Sequence, residues 1–219
     1  MKSQLIGGLA ALSNALIAVG NFVIVLTWLG AEVAADPNRV AALVITHPAP
    51  LLWLEGLKIL AALANMLVIW EIDQRLGKSS LAIVRLASWI GVFAAGLLLL
   101  AGGIGILAIL QAQQPMKIDV GQLPITYAGM NHVINRLGLS ALLGNGLWLL
   151  VIGGLARKSQ RLPGRFCWFT LLLGIVNVAA FFLPPAAMLA LLFGLIWSLW
   201  LARLLLNQPD QPATGNLRA

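Results

Sequence analysis

The sequence predicts an all-α fold: a polytopic bundle of six transmembrane helices with both termini on the cytoplasmic side. Three observations predict it, namely an apolar composition, six long apolar segments and an uneven distribution of Lys and Arg. Of the 219 residues, 60% are hydrophobic and 10% are charged, whereas about 25% are charged in an ordinary soluble domain. Because a soluble fold of this size leaves much surface to be covered, the composition excludes soluble enzymes, disordered proteins and disulfide-built secreted modules.

Six segments are long and apolar enough to cross a bilayer, or nearly so, since a spanning helix needs about 20 mostly apolar residues. The first follows Lys2 as a signal peptide would, but its apolar stretch exceeds a signal core of about 7–15 residues. We therefore expect a transmembrane domain over residues 1–206 and a polar tail over residues 207–219. The predicted spans are residues 5–29, 51–70, 81–110, 137–155, 166–183 and 186–206.

Two larger loops are expected on the outer side, at residues 30–50 and 111–136. In the second loop, Met130, Ile134 and Leu137 recur at helical spacing with polar residues between them. This pattern predicts a short amphipathic helix over residues 125–136 that lies on the outer interface and leads into the fourth span.

The basic residues indicate the orientation, because cytoplasmic loops are enriched in Lys and Arg. With the N-terminus inside, ten basic residues fall on the inner side and three on the outer side, and Lys58 lies within a span. The net charge of +7 is thus explained by topology, and we expect no nucleic-acid partner. The inner residues are Lys2, Arg75, Lys78, Arg85, Arg157, Lys158, Arg161, Arg165, Arg203 and Arg218.

A polar cluster is predicted near the outer end of the second span. Glu55 and Lys58 lie three residues apart and share a helix face. Each ionised group near a helix centre costs about 2.5–3.5 kcal/mol on insertion scales, so both should face the protein or water. Three asparagines, Asn21, Asn145 and Asn177, fall in the same outer half and complete a candidate pocket that opens outward.

His132 and Arg136 lie at or just above that level and form a candidate outer-interface pair. A competing interpretation makes Glu55 and Lys58 a structural ion pair, with the asparagines bonded between helices and Lys58 extended towards the interface. His47 and His132 both fall in outer loops, which offer too few ligands for a zinc site, so no metal is expected. No catalytic residues are assigned, because the sequence lacks the usual hydrolase, metalloprotease and phosphate-loop motifs.

The C-terminal half carries a familiar pattern. A basic turn, Arg157 to Arg165, contains Leu-Pro-Gly-Arg and leads into an apolar helix, and Leu195 to Arg203 reads Leu-Ile-Trp-Ser-Leu-Trp-Leu-Ala-Arg. With residues 137–156, this resembles a bacterial family of six-helix integral membrane proteins of unknown function, many of which have a similar basic turn before the fifth helix. The resemblance implies a six-helix bundle and no established activity.

Three function classes follow from these features. The first is a non-enzymatic accessory or scaffold subunit of a larger membrane complex, with the lipid bilayer and other membrane proteins as partners. The second is a small-molecule carrier or sensor that uses the pocket around Glu55 and Lys58. The third is an intramembrane enzyme acting on lipid or quinone, with Glu55 or His132 as acid or base. Bound lipid, quinone or pigment is compatible with all three, and the expected location is a bacterial inner membrane or an equivalent internal membrane.

Overall fold

The computed structural model of the chain describes residues 2–30, 37–76, 81–113, 123–183 and 186–207, and all regular structure in these ranges is helical. Among them, six helices are long and apolar enough to cross a membrane, which confirms the predicted class of multi-pass helical membrane protein. The side on which the termini lie stays a prediction from charge. The helices are α1 (Lys2–Val23, continued by a π-helical segment Ile24–Leu29), α2 (Pro37–Thr46), α3 (Ala49–Leu76), α4 (Leu81–Gln113), α5 (Leu123–Ser159), α6 (Gly164–Phe182) and α7 (Ala186–Asn207).

The region between the first two spans contains a helix that the sequence analysis treated as loop. Helix α2 begins at Pro37, a residue suited to the first turn because its missing N–H would be unpaired there anyway. Gly30, which ends the π-helical segment, has φ of 77°, a left-handed conformation that favours glycine. The tail at residues 208–219 lies outside the described residues.

The helix predicted at residues 125–136 is present as the first part of a longer helix. It is helical, but it is continuous with the fourth span, as α5 runs unbroken from Leu123 to Ser159. Residues 125–136 contain no proline, so no hydrogen-bond donor is missing from the helical ladder where this segment meets the span.

The six long helices form a ring in chain order. Each of α3 to α6 packs against the next helix, and α1 closes the ring by packing against both α3 and α7. Neighbours run antiparallel, as the contacts between α1 and α3 show: Gly7 lies against Glu71, Asn14 bonds Asn65, and Gly20 lies against Leu57. We call the end where α1 begins and α3 ends the proximal end, and the opposite end the distal end.

Glycines allow close backbone approach at the contact between α5 and α6. A Cβ atom added at Gly146 would lie 2.9 Å from the carbonyl oxygen of Gly174, and one added at Gly174 would lie 3.0 Å from that of Gly146. Small residues of this kind drive helix association in lipid, where packing replaces the hydrophobic effect.

Two apolar clusters fill the bundle. The proximal cluster takes residues from all six long helices, including Val68, Trp148, Phe166 and Leu201. The distal cluster is built from the end of α1 together with α2, α3, α4 and α5, and none of its described residues comes from α6 or α7. Helix α2 packs there against α4 and α5, so the distal part of the molecule has a different construction from the proximal part.

The six long helices differ in length by a factor of nearly two. Helices α4 and α5 have 33 and 37 residues, or about 50 and 55 Å at 1.5 Å per residue, whereas α6 has 19 residues. A bilayer has a hydrocarbon core of about 30 Å, so α4 and α5 are longer than the core and either tilt within it or extend past it. Their distal ends carry exposed polar residues, including Gln111 and Arg136. We call residues 107–113 and 129–137 the distal extension.

The outer surface of the bundle is apolar, as a lipid-facing surface must be. Large side chains on several helices are more than half exposed, with Trp89 at 73%, Phe182 at 70%, Phe93 at 68% and Leu16 at 65%. These faces indicate contact with a lipid bilayer.

Candidate functional site

The predicted pair in the second span forms an ion pair. Lys58 Nζ lies 2.6 Å from Glu55 Oε1, and the two side chains are 32% and 14% exposed. Helix α4 holds the carboxylate in a notch, because a Cβ atom at Gly105 would lie 2.7 Å from Glu55 Cγ and one at Gly102 would lie 2.8 Å from the Glu55 carbonyl oxygen. The two glycines therefore allow α4 to pack closely against α3 at the position of the ion pair.

One oxygen of this pair is left without a partner. Glu55 Oε2 is buried and accepts no hydrogen bond from any described residue. A buried polar atom in a native structure normally has a partner, and Lys58, whose side chain is one-third exposed, supplies the charged donor on the same face. The pair thus keeps one free acceptor beside a partly accessible cation.

The three predicted pocket asparagines do not join the ion pair in one hydrogen-bonded cluster. Asn177 is buried and donates to the Leu173 carbonyl oxygen of its own helix at 2.9 Å. Asn21 and Asn145 are half-buried, and within the described residues no hydrogen bond connects either of them to Glu55. Among the described residues, Glu55 is therefore bonded to Lys58 and to none of the three asparagines, and the outward-opening pocket stays a prediction.

A different pair of asparagines links two helices. Asn14 of α1 donates from Nδ2 to Asn65 Oδ1 of α3 at 2.8 Å, while Asn14 Oδ1 is buried without a partner among the described residues. The signal for this contact was present in the sequence, since Asn14 lies on a stripe of small residues and Asn65 lies seven residues beyond Lys58. What the sequence lacked was the register between the two helices.

Among the described residues, the most deeply buried charge is one that was not predicted from the sequence. Glu71 is 1% exposed, and its Oε1 accepts from Arg75 Nε at 2.9 Å. Gly7 of α1 makes room for it, because a Cβ atom at that position would lie 2.5 Å from Glu71 Cγ. A Glu and an Arg four residues apart form a recognisable helix pair, but Arg75 had been interpreted only as an orientation signal.

This second pair is also incompletely bonded. Glu71 Oε2 and Arg75 Nη2 are both buried without a partner among the described residues. Glu71 Oε2 is an acceptor and Arg75 Nη2 is a donor, so the two atoms are complementary. A small rotation of either side chain would join them and give the bidentate geometry that Arg–carboxylate pairs favour. The unpaired atoms therefore need no ligand to explain them.

Further polar contacts bind the proximal end of α3. Ser88 of α4 donates to Asp73 Oδ1 at 2.9 Å, and Arg161, in the turn after α5, donates to the carbonyl oxygen of Arg75. Together with the Glu71 contact on Gly7, these bonds tie α3 to α1, α4 and the α5–α6 turn. Helix α3 thus makes polar contacts with several of its neighbours, and we call these contacts the polar fastening of α3.

The candidate outer-interface residues are both exposed on the distal extension. His132 and Arg136 lie one turn apart on α5, whereas Glu55 is packed against α4. Among the described residues, no hydrogen bond or ion pair joins His132 to Glu55, and a role for either of them as acid or base stays a prediction. No group of three or more His, Cys, Asp or Glu that could hold a metal ion occurs within the described ranges.

Aromatic residues occupy the interface of α5, α6 and α7. Trp197 donates from its indole nitrogen to Thr170 Oγ1 at 2.9 Å, and its ring stacks on Phe166 with centroids 5.9 Å apart. Trp148 meets Trp197 edge-on at 6.2 Å. These contacts pack the proximal cluster and provide a bonded partner for one of its two buried indoles.

No family model, curated protein or solved structure matches the chain. The fold indicates an integral membrane protein, and the described residues include two ion pairs on one of its long apolar helices. Its role is therefore argued from these contacts and from the surface that they leave exposed.

Proposed function

We propose that the chain is a non-enzymatic accessory or scaffold subunit of a larger membrane assembly. The observation that carries the proposal is exposed apolar surface on the distal extension, at the ends of the two longest helices. Leu110 and Val133 are 45% and 50% exposed there, next in sequence to the exposed polar residues Gln111 and His132. Exposed apolar residues beside exposed polar ones favour a protein partner that covers them.

The use of charge inside the bundle supports a static role. Glu55 with Lys58 and Glu71 with Arg75 form ion pairs within α3. Their carboxylates pack against glycines of α4 and α1, so the intramembrane charges hold neighbouring helices together. This is the arrangement expected of a rigid scaffold.

The partner that fits the distal extension is another membrane protein with a face that is both apolar and acidic. Val133 is flanked on α5 by His132 and, one turn on, by Arg136, all three exposed. Acidic residues on the partner would complement Arg136, and charge complementarity of this kind selects the partner and the register.

Site-specific photo-cross-linking tests the proposal. A photoreactive residue replaces Val133 in one variant and Leu189, which is 51% exposed on α7, in the control variant. In native membranes, we expect position 133 to give a protein adduct of one defined mass and position 189 to give lipid adducts. The double variant Leu110→Gln with Val133→Gln should then lower the mass of the complex on native gels, whereas Leu189→Gln should not. A chain that migrates alone, with lipid adducts at both positions, would contradict the proposal.

A carrier or sensor role is the second candidate, and the partly accessible Lys58 beside an unpartnered Glu55 oxygen favours it. The test uses a Lys58→Cys variant in which Cys167 is replaced by serine. A pocket open to water predicts rapid labelling of position 58 by a membrane-impermeant maleimide added on the distal side. Labelling no faster than that of an Ala62→Cys control, whose position is fully buried, would exclude the carrier. The membrane itself is proposed to be a bacterial inner membrane or an equivalent internal one.

A further inference from the structure

The turn between α5 and α6 concentrates positive charge at the proximal end. Arg157, Lys158, Arg161 and Arg165 are all exposed, and residues 156–183 contain no Asp or Glu. The two acidic residues of the last turns of α3, Glu71 and Asp73, are already bonded to Arg75 and to Ser88. The four exposed cations therefore have no carboxylate partner among the described residues.

Protein contacts hold two of these cations in place. The Arg157 guanidinium carbon lies 4.2 Å from the centre of the Trp168 ring, a cation–π contact. Trp168 is 58% exposed, and tryptophans at such positions lie at headgroup depth. Arg161 is held by its bond to the Arg75 carbonyl oxygen. The turn thus presents a preorganised basic surface at the membrane interface.

An apolar stripe continues from this basic surface along α6. Trp168, Leu172 and Ile175 are 58%, 45% and 57% exposed. Their spacing of four and three residues, beginning three residues after Arg165, places all four side chains on one helix face. A cationic head followed by an apolar stripe matches a molecule with an anionic head and a hydrocarbon tail.

We propose that the basic turn binds the phosphate of an anionic phospholipid, with one acyl chain lying along the α6 stripe. Arginine binds phosphate through paired N–H donors, and clustered basic residues at a membrane surface attract anionic lipids. The stripe favours a lipid over a soluble phosphate, because only a lipid has an acyl chain that could contact Leu172 and Ile175. This site is separate from the distal extension and does not depend on the proposed scaffold role.

Lipid retention in the purified full-length chain tests the proposal. The chain is equilibrated in mixed micelles of phosphatidylglycerol and phosphatidylcholine, and retained lipids are counted by native mass spectrometry. The test variant is Lys158→Gln with Arg165→Gln, since neither residue has a bonded partner among those described. The matched control is Arg85→Gln with Arg203→Gln, which removes two exposed cations elsewhere on the bundle.

We expect the preference of the wild-type chain for phosphatidylglycerol to fall about fivefold for each cation removed from the turn, and to stay unchanged in the control. A charge-preserving variant, Lys158→Arg with Arg165→Lys, should retain the preference and guards against a folding defect. If the preference for phosphatidylglycerol falls equally in the test and control variants, it depends only on general surface charge, and the proposal is overturned. A wild-type chain with no preference for phosphatidylglycerol would also overturn it. In phosphatidylcholine nanodiscs, inorganic phosphate should leave the melting temperature unchanged; if it matches the rise produced by phosphatidylglycerol, the site takes a soluble anion and the lipid proposal is wrong.

Discussion

Replacing Gly105 by alanine should damage the contact between α3 and α4 in a specific way. A Cβ atom there would lie 2.7 Å from Glu55 Cγ and would also overlap the carboxylate. The α4 backbone cannot retreat without opening the bundle, so either the helices separate or the Glu55 side chain leaves Lys58. At Gly103, two residues earlier on the same helix, an added Cβ would meet nothing within 4 Å, which makes Gly103→Ala the matched control.

The difference between the two variants isolates the steric cost. Both replace a helical glycine by alanine and so gain the same intrinsic helix propensity, about 1 kcal/mol. Forcing extra volume into a packed contact costs about 1–3 kcal/mol, and only Gly105→Ala bears that cost. We therefore expect the Gly105→Ala chain to be about 1–3 kcal/mol less stable than the Gly103→Ala chain.

Reversible unfolding in mixed detergent–SDS micelles, followed by far-UV circular dichroism, measures the free energies. The comparison is repeated in a Glu55→Ala background, where the side-chain atoms that an added Cβ would meet are missing. There the Gly105→Ala and Gly103→Ala chains should agree within about 0.5 kcal/mol. Equal stability of the two variants in the wild-type background, or an undiminished difference in the Glu55→Ala background, would refute the reasoning.

Two other variants test contacts that the sequence did not reveal. Glu71→Ala leaves the mostly buried Arg75 guanidinium without its carboxylate, and we expect a loss of about 3 kcal/mol, measured as a lower midpoint of unfolding. Thr170→Val removes the acceptor of the buried Trp197 indole N–H at nearly constant volume, and we expect a loss of about 1–3 kcal/mol, with a shift in tryptophan fluorescence.

Each of these variants has a control in the same chain. Asp73→Asn keeps an oxygen that accepts from Ser88, so its stability should stay near that of the wild type. Ser13→Ala removes an exposed hydroxyl that bonds only its own helix and should change stability by less than about 0.5 kcal/mol. If Glu71→Ala costs no more than Asp73→Asn, the buried pair does not fasten α3. If Thr170→Val behaves like Ser13→Ala, the indole bond contributes nothing.

The bounds of a span were predictable from the sequence where a long apolar segment ends at a proline. Helices α6 and α7 were predicted to within two residues because prolines at 163, 184 and 185 bound them in the sequence. Helix α3 was predicted to end at residue 70, but it continues to Leu76. Glu71, Asp73 and Arg75 lower the mean hydropathy of the sequence after residue 70, which indicates the end of a span. Mean hydropathy contains no information on the partners that these side chains have in the fold.

The candidate site was predictable to the extent that it is local. Glu55 and Lys58 meet within one turn of one helix, so their spacing was enough. The contacts of Glu71 with Gly7 and of Asn14 with Asn65 join residues more than fifty positions apart in the chain. They depend on the register between α1 and α3, which no pattern within either helix specifies.

The polar fastening of α3 also has a consequence for biogenesis. When α3 emerges from the ribosome, its two ion pairs carry a cost in lipid. Glu55 and Glu71 lie towards the ends of the helix, so the cost is below the value of about 2.5–3.5 kcal/mol for an ionised group at a helix centre. Helix α1 is already in place and offers Gly7 to Glu71 and Asn14 to Asn65, whereas the notch at Gly105 arrives only with α4. Insertion of the second span should therefore proceed in two stages. First, the proximal half of α3 docks on α1 during translation. The distal half then leaves the translocon when α4 follows.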